Sequence, residues 1–196
     1  MPKIVDVDEQ RSGIAAQAAI WIARNGIETL SLRNVAAAHG CSKGMVQHYF
    51  TDKEELLFGA LLWVTGQYAE REKAAVEGLT GLSRIEARLV AILPVTPTQR
   101  EEWIVRMAFY VRAALTPRMQ SYIARHVAAA IREAVGDLRQ AQAAGAVRKG
   151  VNLTQAYRGI IATVAGIAIS EIVSPNLLSP ASQKQMLRNA MQILRG

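Results

Sequence analysis

Residues 29–57, TLSLRNVAAAHGCSKGMVQHYFTDKEELL, constrain the fold of this chain more than any other segment. Two short stretches with helical spacing of apolar residues are each preceded by a serine, and a glycine lies between them. Ser31 and Ser42 can each cap the start of a helix with the side-chain oxygen. Because glycine tolerates the left-handed backbone of a tight turn, Gly40 is expected to end the first helix. The segment therefore predicts two short helices that meet at a turn.

The second short helix, predicted from Lys43 to Phe50, has a polar outer face. We expect Met45, Val46 and Phe50 to supply its apolar packing, and Cys41 in the turn to be a small buried hydrophobe. Small residues, a turn glycine and an exposed polar face describe a helix-turn-helix that enters the major groove of DNA. The predicted DNA contacts are Arg33, Ser42, Lys43, Gly44, Gln47, His48, Tyr49 and Lys53.

These residues divide by chemistry into phosphate contacts and base contacts. Glutamine can pair with adenine and arginine with guanine, whereas lysine and hydroxyl groups suit phosphate oxygens. We expect Ser42, Lys43, Tyr49 and Lys53 to hold phosphates, and Gln47, with Arg33 and Gly44, to approach base edges; His48 suits either role.

Net charge alone does not support this interpretation. The chain carries a formal charge of +7, yet residues 1–55 contain six Lys and Arg against seven Asp and Glu. DNA binding must therefore depend on the local placement of Arg33, Lys43 and Lys53 and on helix N-termini that face phosphates. The basic surplus in the rest of the chain is most often a solvated surface, although an anionic effector or steering towards DNA would also use it.

The segment is similar to the DNA-binding signature of the TetR family of bacterial regulators. The residues that carry the resemblance are Thr29, Leu32, Arg33, Val35, Ala36, Gly40, Ser42, Lys43, Gly44, His48, Tyr49, Phe50, Lys53, Glu55, Leu56 and Leu57. His48-Tyr49-Phe50 followed by Lys53 resembles the subgroup that contains the choline–betaine pathway repressor. Three positions depart from the family pattern: Asn34 replaces a common acidic residue, Cys41 a common valine, and Gln47 a frequent tyrosine. The resemblance implies a dimeric repressor that binds a palindromic operator and is released by a small molecule.

Helical periodicity continues through the rest of the chain, without strand-like alternation of useful length. The sequence predicts an all-α chain of about nine helices: residues 7–25, the two short helices, 53–76, 83–92, 99–115, 118–144, 153–173 and 182–194. We expect residues 1–55 to form a three-helix DNA-binding domain and residues 56–196 a helical domain for effector binding and dimerisation.

The last two predicted helices are candidates for a homodimer interface. Leu153–Val173 is apolar nearly all round, and Ser182–Leu194 carries one apolar face. A palindromic operator read by one short helix needs two copies of that helix, which favours a two-fold bundle of four helices. The alternative is that both helices pack only within their own chain.

Aromatic residues in the middle of the chain are candidates for an effector site. Trp103, Met107 and Tyr110 recur at helical spacing, and Trp63, Tyr122 and His126 are expected near them. Aromatic walls with a few polar tips suit a small organic ligand, and stacked rings can hold a cation. Ordinary core packing gives the same spacing, and the sequence does not separate the two.

Other classes of protein fit less well. The three histidines lack metal-ligand spacing, and neither a nucleophile elbow nor a phosphate-binding glycine loop is present, so we expect no catalytic or metal site and no cofactor. A helical adaptor that binds a protein partner is a second alternative. The single cysteine and the lack of an apolar leader indicate a cytoplasmic protein, and the most apolar run, residues 159–170, is shorter than a membrane span.

Overall fold

The structure, a computed structural model, describes residues 7–195, which form nine α-helices and a closing 3-10 helix, with no strand in that range. The helices are α1 Val7–Asn25, α2 Leu32–His39, α3 Lys43–Tyr49, α4 Lys53–Val76, α5 Gly81–Val90, α6 Pro97–Ala113, α7 Pro117–Ala143, α8 Leu153–Val173 and α9 Pro180–Met191, followed by the 3-10 helix Gln192–Leu194. The predicted all-α fold class is confirmed.

Proline explains three of the four differences between predicted and observed helix starts. The helices predicted to begin at residues 99, 118 and 182 begin instead at Pro97, Pro117 and Pro180. Proline is tolerated in the first turn because a backbone N–H there has no partner within the helix. The bounds of α1, α2, α4 and α8 agree with the prediction.

The chain divides into two compact units. The first combines the residues up to Gln67 with Glu101–Met119, and the second combines Tyr68–Arg100 with the residues from Gln120 onward. Helices α4, α6 and α7 contribute residues to both units. The sequence predicted a boundary at residue 55 between a DNA-binding domain and a domain for effector binding and dimerisation. That boundary separates the chain by function, and it stays a prediction.

In the core of the first unit, Phe50, the capping residue that follows α3, packs against α4. Val46 and Phe50 are fully buried, as are Leu56 and Leu57 in the first turns of α4. Gly59 faces Phe50 so closely that a Cβ atom there would lie 2.4 Å from the Cε1 atom of the phenylalanine ring. The missing side chain at Gly59 therefore lets α4 lie on the residue that ends α3.

A buried arginine joins three helices of the second unit. Arg88 in α5 is 3% exposed and forms ion pairs with Glu72 of α4 and with Glu133 and Asp137 of α7. Burial disfavours the charge of Arg88, but the hydrogen bond to Glu133 and the charges of Glu72 and Glu133 outweigh it and raise the arginine pKa. The same hydrogen bond lowers the pKa of Glu133, although partial burial opposes the shift. These pairs fix α5 between α4 and α7.

Helix α8 is more apolar than the chain itself can bury. It is the one helix among the described residues that is long and apolar enough to cross a membrane by length and composition, and 39% of its most apolar window is buried. The apolar run that the sequence showed at residues 159–170 is thus the middle of a longer apolar helix. A helix that packs against a second protein chain has the same composition.

Candidate nucleic-acid interface

Local hydrogen bonds shape the turn between α2 and α3. The Ser31 hydroxyl accepts a hydrogen bond from the backbone N–H of Asn34 at 3.1 Å, and the Ser42 hydroxyl accepts one from the N–H of Met45 at 3.1 Å. Gly40 ends α2 with a left-handed backbone at φ 76°, which other residue types adopt at a cost. Both predicted N-caps and the predicted turn glycine are thus confirmed.

Side chains also hold the loop between α1 and α2 in place. The Trp21 indole N–H donates to the Thr29 hydroxyl at 3.0 Å, and the Asn34 amide donates to the Thr29 carbonyl at 2.9 Å. The Lys53 ammonium donates to the Glu28 carbonyl at 2.9 Å. The sequence marks Asn34 only as a departure from the family pattern and does not reveal its hydrogen bond to Thr29, because an amide donor at that position has no signature in the sequence.

Helix α3 presents almost all of its surface to solvent. Val46 is its one buried residue. Lys43, Gly44, Gln47 and His48 are exposed, as are Arg33 on α2 and Ser42 at the cap, whereas Tyr49 and Lys53 are half-buried. The Tyr49 ring meets the His48 ring edge-on, with 5.0 Å between centroids. The eight predicted DNA contacts therefore all lie at or partly at the surface of the first unit.

Two expectations about packing in this segment were wrong. Met45 was expected in the core but is 44% exposed, because a helix of seven residues turns only one side chain fully inward, and that is Val46. Cys41 was expected to be buried but is half-buried, since it lies in the turn after Gly40 rather than under a helix.

The start of α4 is fixed by a second set of capping contacts. The Asp52 carboxylate accepts a hydrogen bond from the backbone N–H of Glu55 at 2.8 Å, and the Glu55 carboxylate accepts from the backbone N–H and the hydroxyl of Thr51 at 3.1 Å each. Glu54 forms an ion pair with Arg112 near the end of α6. The first turn of α4 is thus tied both to Thr51, in the loop after α3, and to α6.

The six predicted effector residues belong to different units. In the first unit Trp103 is buried beneath the Arg106 guanidinium, which lies 4.7 Å from the ring centroid, and Tyr110 is 38% exposed. Trp63 and Met107 in the same unit are half-buried. In the second unit Tyr122 is half-buried and its ring stacks on that of the exposed His126, with 6.0 Å between centroids.

Within residues 7–195 no group of three or more His, Cys, Asp or Glu side chains is placed to hold a metal ion. The feature that stands out is instead a capped pair of short helices with a polar, partly basic outer face. This arrangement defines a helix-turn-helix of the kind that DNA-binding regulators use.

Comparison with known families agrees with this class. Residues 14–60 match the family described as bacterial regulatory proteins, tetR family, and residues 82–195 match the one described as BetI-type transcriptional repressor, C-terminal. The chain belongs to the TetR family of transcriptional regulators and to its BetI-like subgroup. The resemblance drawn from residues 29–57 is confirmed.

Individual relatives give the same result. The HTH-type transcriptional regulator PksA of Bacillus subtilis (strain 168) is 33% identical over 110 residues, which are 56% of this chain and 54% of that protein. The chain thus matches about half the length of that curated relative. A transcriptional regulator from Rhodococcus sp. Rha1 is 25% identical with a TM-score of 0.83 over 94% of this chain and 95% of that one. A regulator from Saccharomonospora viridis, solved in complex with choline, shares the fold at 21% identity, with a TM-score of 0.85 over 94% of this chain and 96% of that one.

Proposed function

We propose that this protein is a cytoplasmic homodimeric repressor that binds a palindromic DNA operator and releases it when a small organic effector binds. The observation that carries the proposal is the outer face of α3, where Lys43, Gly44, Gln47 and His48 are all exposed behind a rigid capped turn. We call α2, the Gly40–Ser42 turn and α3 together the reading head. A polar helix held this way matches the dimensions of a major groove.

We propose for the reading head the division into phosphate and base contacts that the sequence predicted. Lys43 is an exposed positive charge at the start of α3, where the helix dipole also favours a phosphate. Ser42 uses an oxygen lone pair as the cap, so its hydroxyl proton can still be donated to a phosphate. Lys53 donates one of its three ammonium protons to Glu28 and keeps two for a phosphate. Gln47 on α3 and Arg33 on α2 are the groups suited to base edges.

A continuous exposed stripe on α8 supports the homodimer. Gly159, Ala162, Gly166, Ile169 and Val173 follow one another at alternating spacings of three and four residues, and all five are exposed. A Cβ atom added at Gly159 or Gly166 would meet nothing within 4 Å, so the chain's own packing does not require these glycines. On α9, Met186 is also exposed. Apolar residues in this pattern, with small residues between them, allow a second copy of the helix to pack closely.

The effector is proposed to be a small organic cation. The Saccharomonospora viridis regulator of the same fold was solved with choline. In this chain the Arg106 guanidinium lies 4.7 Å from the centroid of the Trp103 ring, and this cation–π contact supports the proposal that the ring can bind a positive charge. Trp63, Met107, Tyr110, Tyr122 and His126 stay proposed effector contacts, as predicted from the sequence.

We propose that the displacement caused by effector binding reaches the reading head through α4 and releases it from DNA. Arg112 near the end of α6 pairs with Glu54, the second residue of α4, and Arg118 lies 4.5 Å from the centroid of the Phe58 ring one turn later. A displacement of α6 would therefore reach the start of α4, which is packed on Phe50 at the end of α3. A change in the separation of the two reading heads would lose the register with successive grooves.

A binding experiment with labelled duplexes tests the DNA part of the proposal. The purified protein is titrated against DNA from upstream of its own gene and against a duplex of unrelated sequence, at several salt concentrations. Lys43→Ala should weaken binding to every sequence and reduce the salt slope by about one for each reading head. Gln47→Ala should instead relax discrimination at one base position. A protein that binds no duplex at low salt would refute the proposal and favour the adaptor alternative.

The effector part needs a separate measurement. Choline is titrated into the protein–operator complex, and DNA release is followed by fluorescence anisotropy. Trp103→Ala and Tyr110→Ala should blunt release while operator affinity stays nearly unchanged. Val111→Ala is the matched control, because Val111 lies on the same helix and is 73% exposed. Equal loss of operator affinity and effector response in both aromatic variants would indicate that these residues only pack the core.

A further inference from the structure

We infer that Met45 reads the methyl group of a thymine in the operator; this inference rests on the proposed function. The methionine is the third residue of α3 and is 44% exposed, although the residues that need burial in this segment, Val46 and Phe50, are fully enclosed. Residues near the N-terminus of a recognition helix are those that reach base edges. An apolar side chain at this position has a specific partner in DNA.

The position of Met45 around the helix places it among the proposed base contacts. Successive residues of an α-helix are rotated by about 100°, so Gly44 and His48 lie opposite the buried Val46. Met45 and Gln47 then lie on the two flanks of that outward face. When the face enters a groove, both flanking side chains meet the walls or floor of the groove.

Gly44 leaves room for this contact. A Cβ atom at Gly44 would meet only the Ser42 hydroxyl oxygen, at 3.7 Å, which is an ordinary van der Waals distance. The protein's own packing therefore does not demand glycine here, and its helical position does not need a left-handed backbone. A bare backbone at the centre of the outer face lets α3 lie deeper in the groove, which brings the flanking Met45 and Gln47 onto the bases.

The chemistry of the groove selects the partner. The major groove presents hydrogen-bond donors and acceptors from each base pair, and the thymine C5-methyl is the apolar group among them. A thioether side chain offers little to a phosphate or to a donor–acceptor edge. It does bury apolar surface well against a methyl group, and its flexible chain adapts to the exact position. The geometry and the chemistry together assign Met45 to a thymine.

Uracil substitution tests this contact, because it removes the methyl group and nothing else from a thymine. An operator duplex is first selected by the wild-type protein from a random pool, and each thymine is then replaced by uracil in both half-sites. Wild-type protein should lose about fourfold in affinity per half-site at one thymine position, the value expected for one buried methyl group. Met45→Ala should bind the thymine duplex about fourfold more weakly per half-site than the wild type does. Replacing the contacted thymine by uracil should then cause no further loss of affinity.

Lys43→Ala is the matched control, since it should weaken binding to the thymine and uracil duplexes equally. The melting temperature of Met45→Ala should equal that of the wild type, because the side chain is exposed. The inference is overturned if every uracil substitution affects wild type and Met45→Ala alike, or if Met45→Ala is clearly less stable. A protein that selects no duplex from the pool would refute the proposed function as well, so the two failures can be told apart.

Discussion

Replacing Gly59 by alanine should both destabilise the first unit and weaken DNA binding. The new Cβ would lie 2.4 Å from Cε1 and 3.0 Å from Cζ of Phe50, whereas ordinary contact begins near 3.4 Å. The ring must therefore move by about 1 Å, the difference between 3.4 and 2.4 Å. Phe50 is fully buried, with the Arg11 guanidinium 4.9 Å from its ring centroid. The ring therefore has little room to move unless α3 moves with it.

The loss of stability in Gly59→Ala is best measured relative to Gly66→Ala, a variant in the same helix. A Cβ at Gly66 meets nothing within 4 Å, so that variant should gain roughly 0.5–1 kcal/mol from helix propensity alone. Gly59→Ala gains the same stability from helix propensity but loses about 1–3 kcal/mol because the new methyl group overpacks the core. Because the propensity effect is common to both, the difference in unfolding free energy between the two variants isolates the contact with Phe50.

The effect on DNA follows from the same displacement. A hydrogen bond of ordinary length, about 2.9 Å, is lost when one partner moves by about 1 Å, and one base contact is worth roughly 1–3 kcal/mol. Gly59→Ala should therefore bind its operator about tenfold or more weakly, whereas Gly66→Ala should bind like the wild type. Urea denaturation and fluorescence anisotropy measure the two quantities. If both variants are equally stable and bind equally well, the packing of Phe50 on α4 does not position α3.

Three further changes test other parts of the structure. Gly44→Ala should leave the melting temperature unchanged or slightly raised but weaken operator binding, because the added methyl has room in the protein and none in the groove. Arg88→Met should cost about 3 kcal/mol of stability at pH 7, since it removes the arginine charge from the partly buried Glu72 and leaves Asp137 with Arg84 as its remaining ion pair. Because Arg88 lowers the pKa of Glu133, that carboxylate stabilises the fold above its unfolded pKa of about 4.3 and the contribution is lost as pH falls further. Ile169→Glu should convert the dimer to a monomer, as measured by light scattering.

Two of these changes, Arg88→Met and Ile169→Glu, have a matched control. Glu133→Gln should cost much less than Arg88→Met at pH 7, because the Glu133 side chain is 63% exposed and solvent screens its pairing. Leu115→Glu introduces the same charge at a residue that is 86% exposed on another segment, and it should leave the dimer intact. Dissociation by both glutamate variants, or by neither, would contradict the assignment of the interface to α8.

The reading head could be predicted from the sequence because the interactions that form it are local. Ser31, Gly40 and Ser42 act on backbone groups within a few residues, so the residue type and its position are enough to place the caps and the turn. Met45 was misplaced because apolar spacing cannot show which side of a seven-residue helix faces the core. The side that faces the core depends on where the neighbouring helices lie.

The buried ion pairs of the second unit gave no signal in the sequence. Arg88 meets Glu133 and Asp137 from positions 45 and 49 residues away, and in the sequence all three look like ordinary solvated charges. The contact of Gly59 with Phe50 was missed for the same reason, since a glycine within a helical pattern does not reveal what lies opposite. Long-range packing, rather than helix formation, is what the sequence left undetermined.

Binding to operators of altered spacing tests the central claim most directly, that two copies of α3 read one duplex together. The wild-type protein is titrated against its selected operator and against the same operator with five base pairs inserted between the half-sites. The insertion turns one half-site by about half a helical turn, so a rigid dimer should lose most of its affinity while each half-site keeps its sequence. Equal affinity for both duplexes, with one protomer bound per half-site independently, would contradict the account.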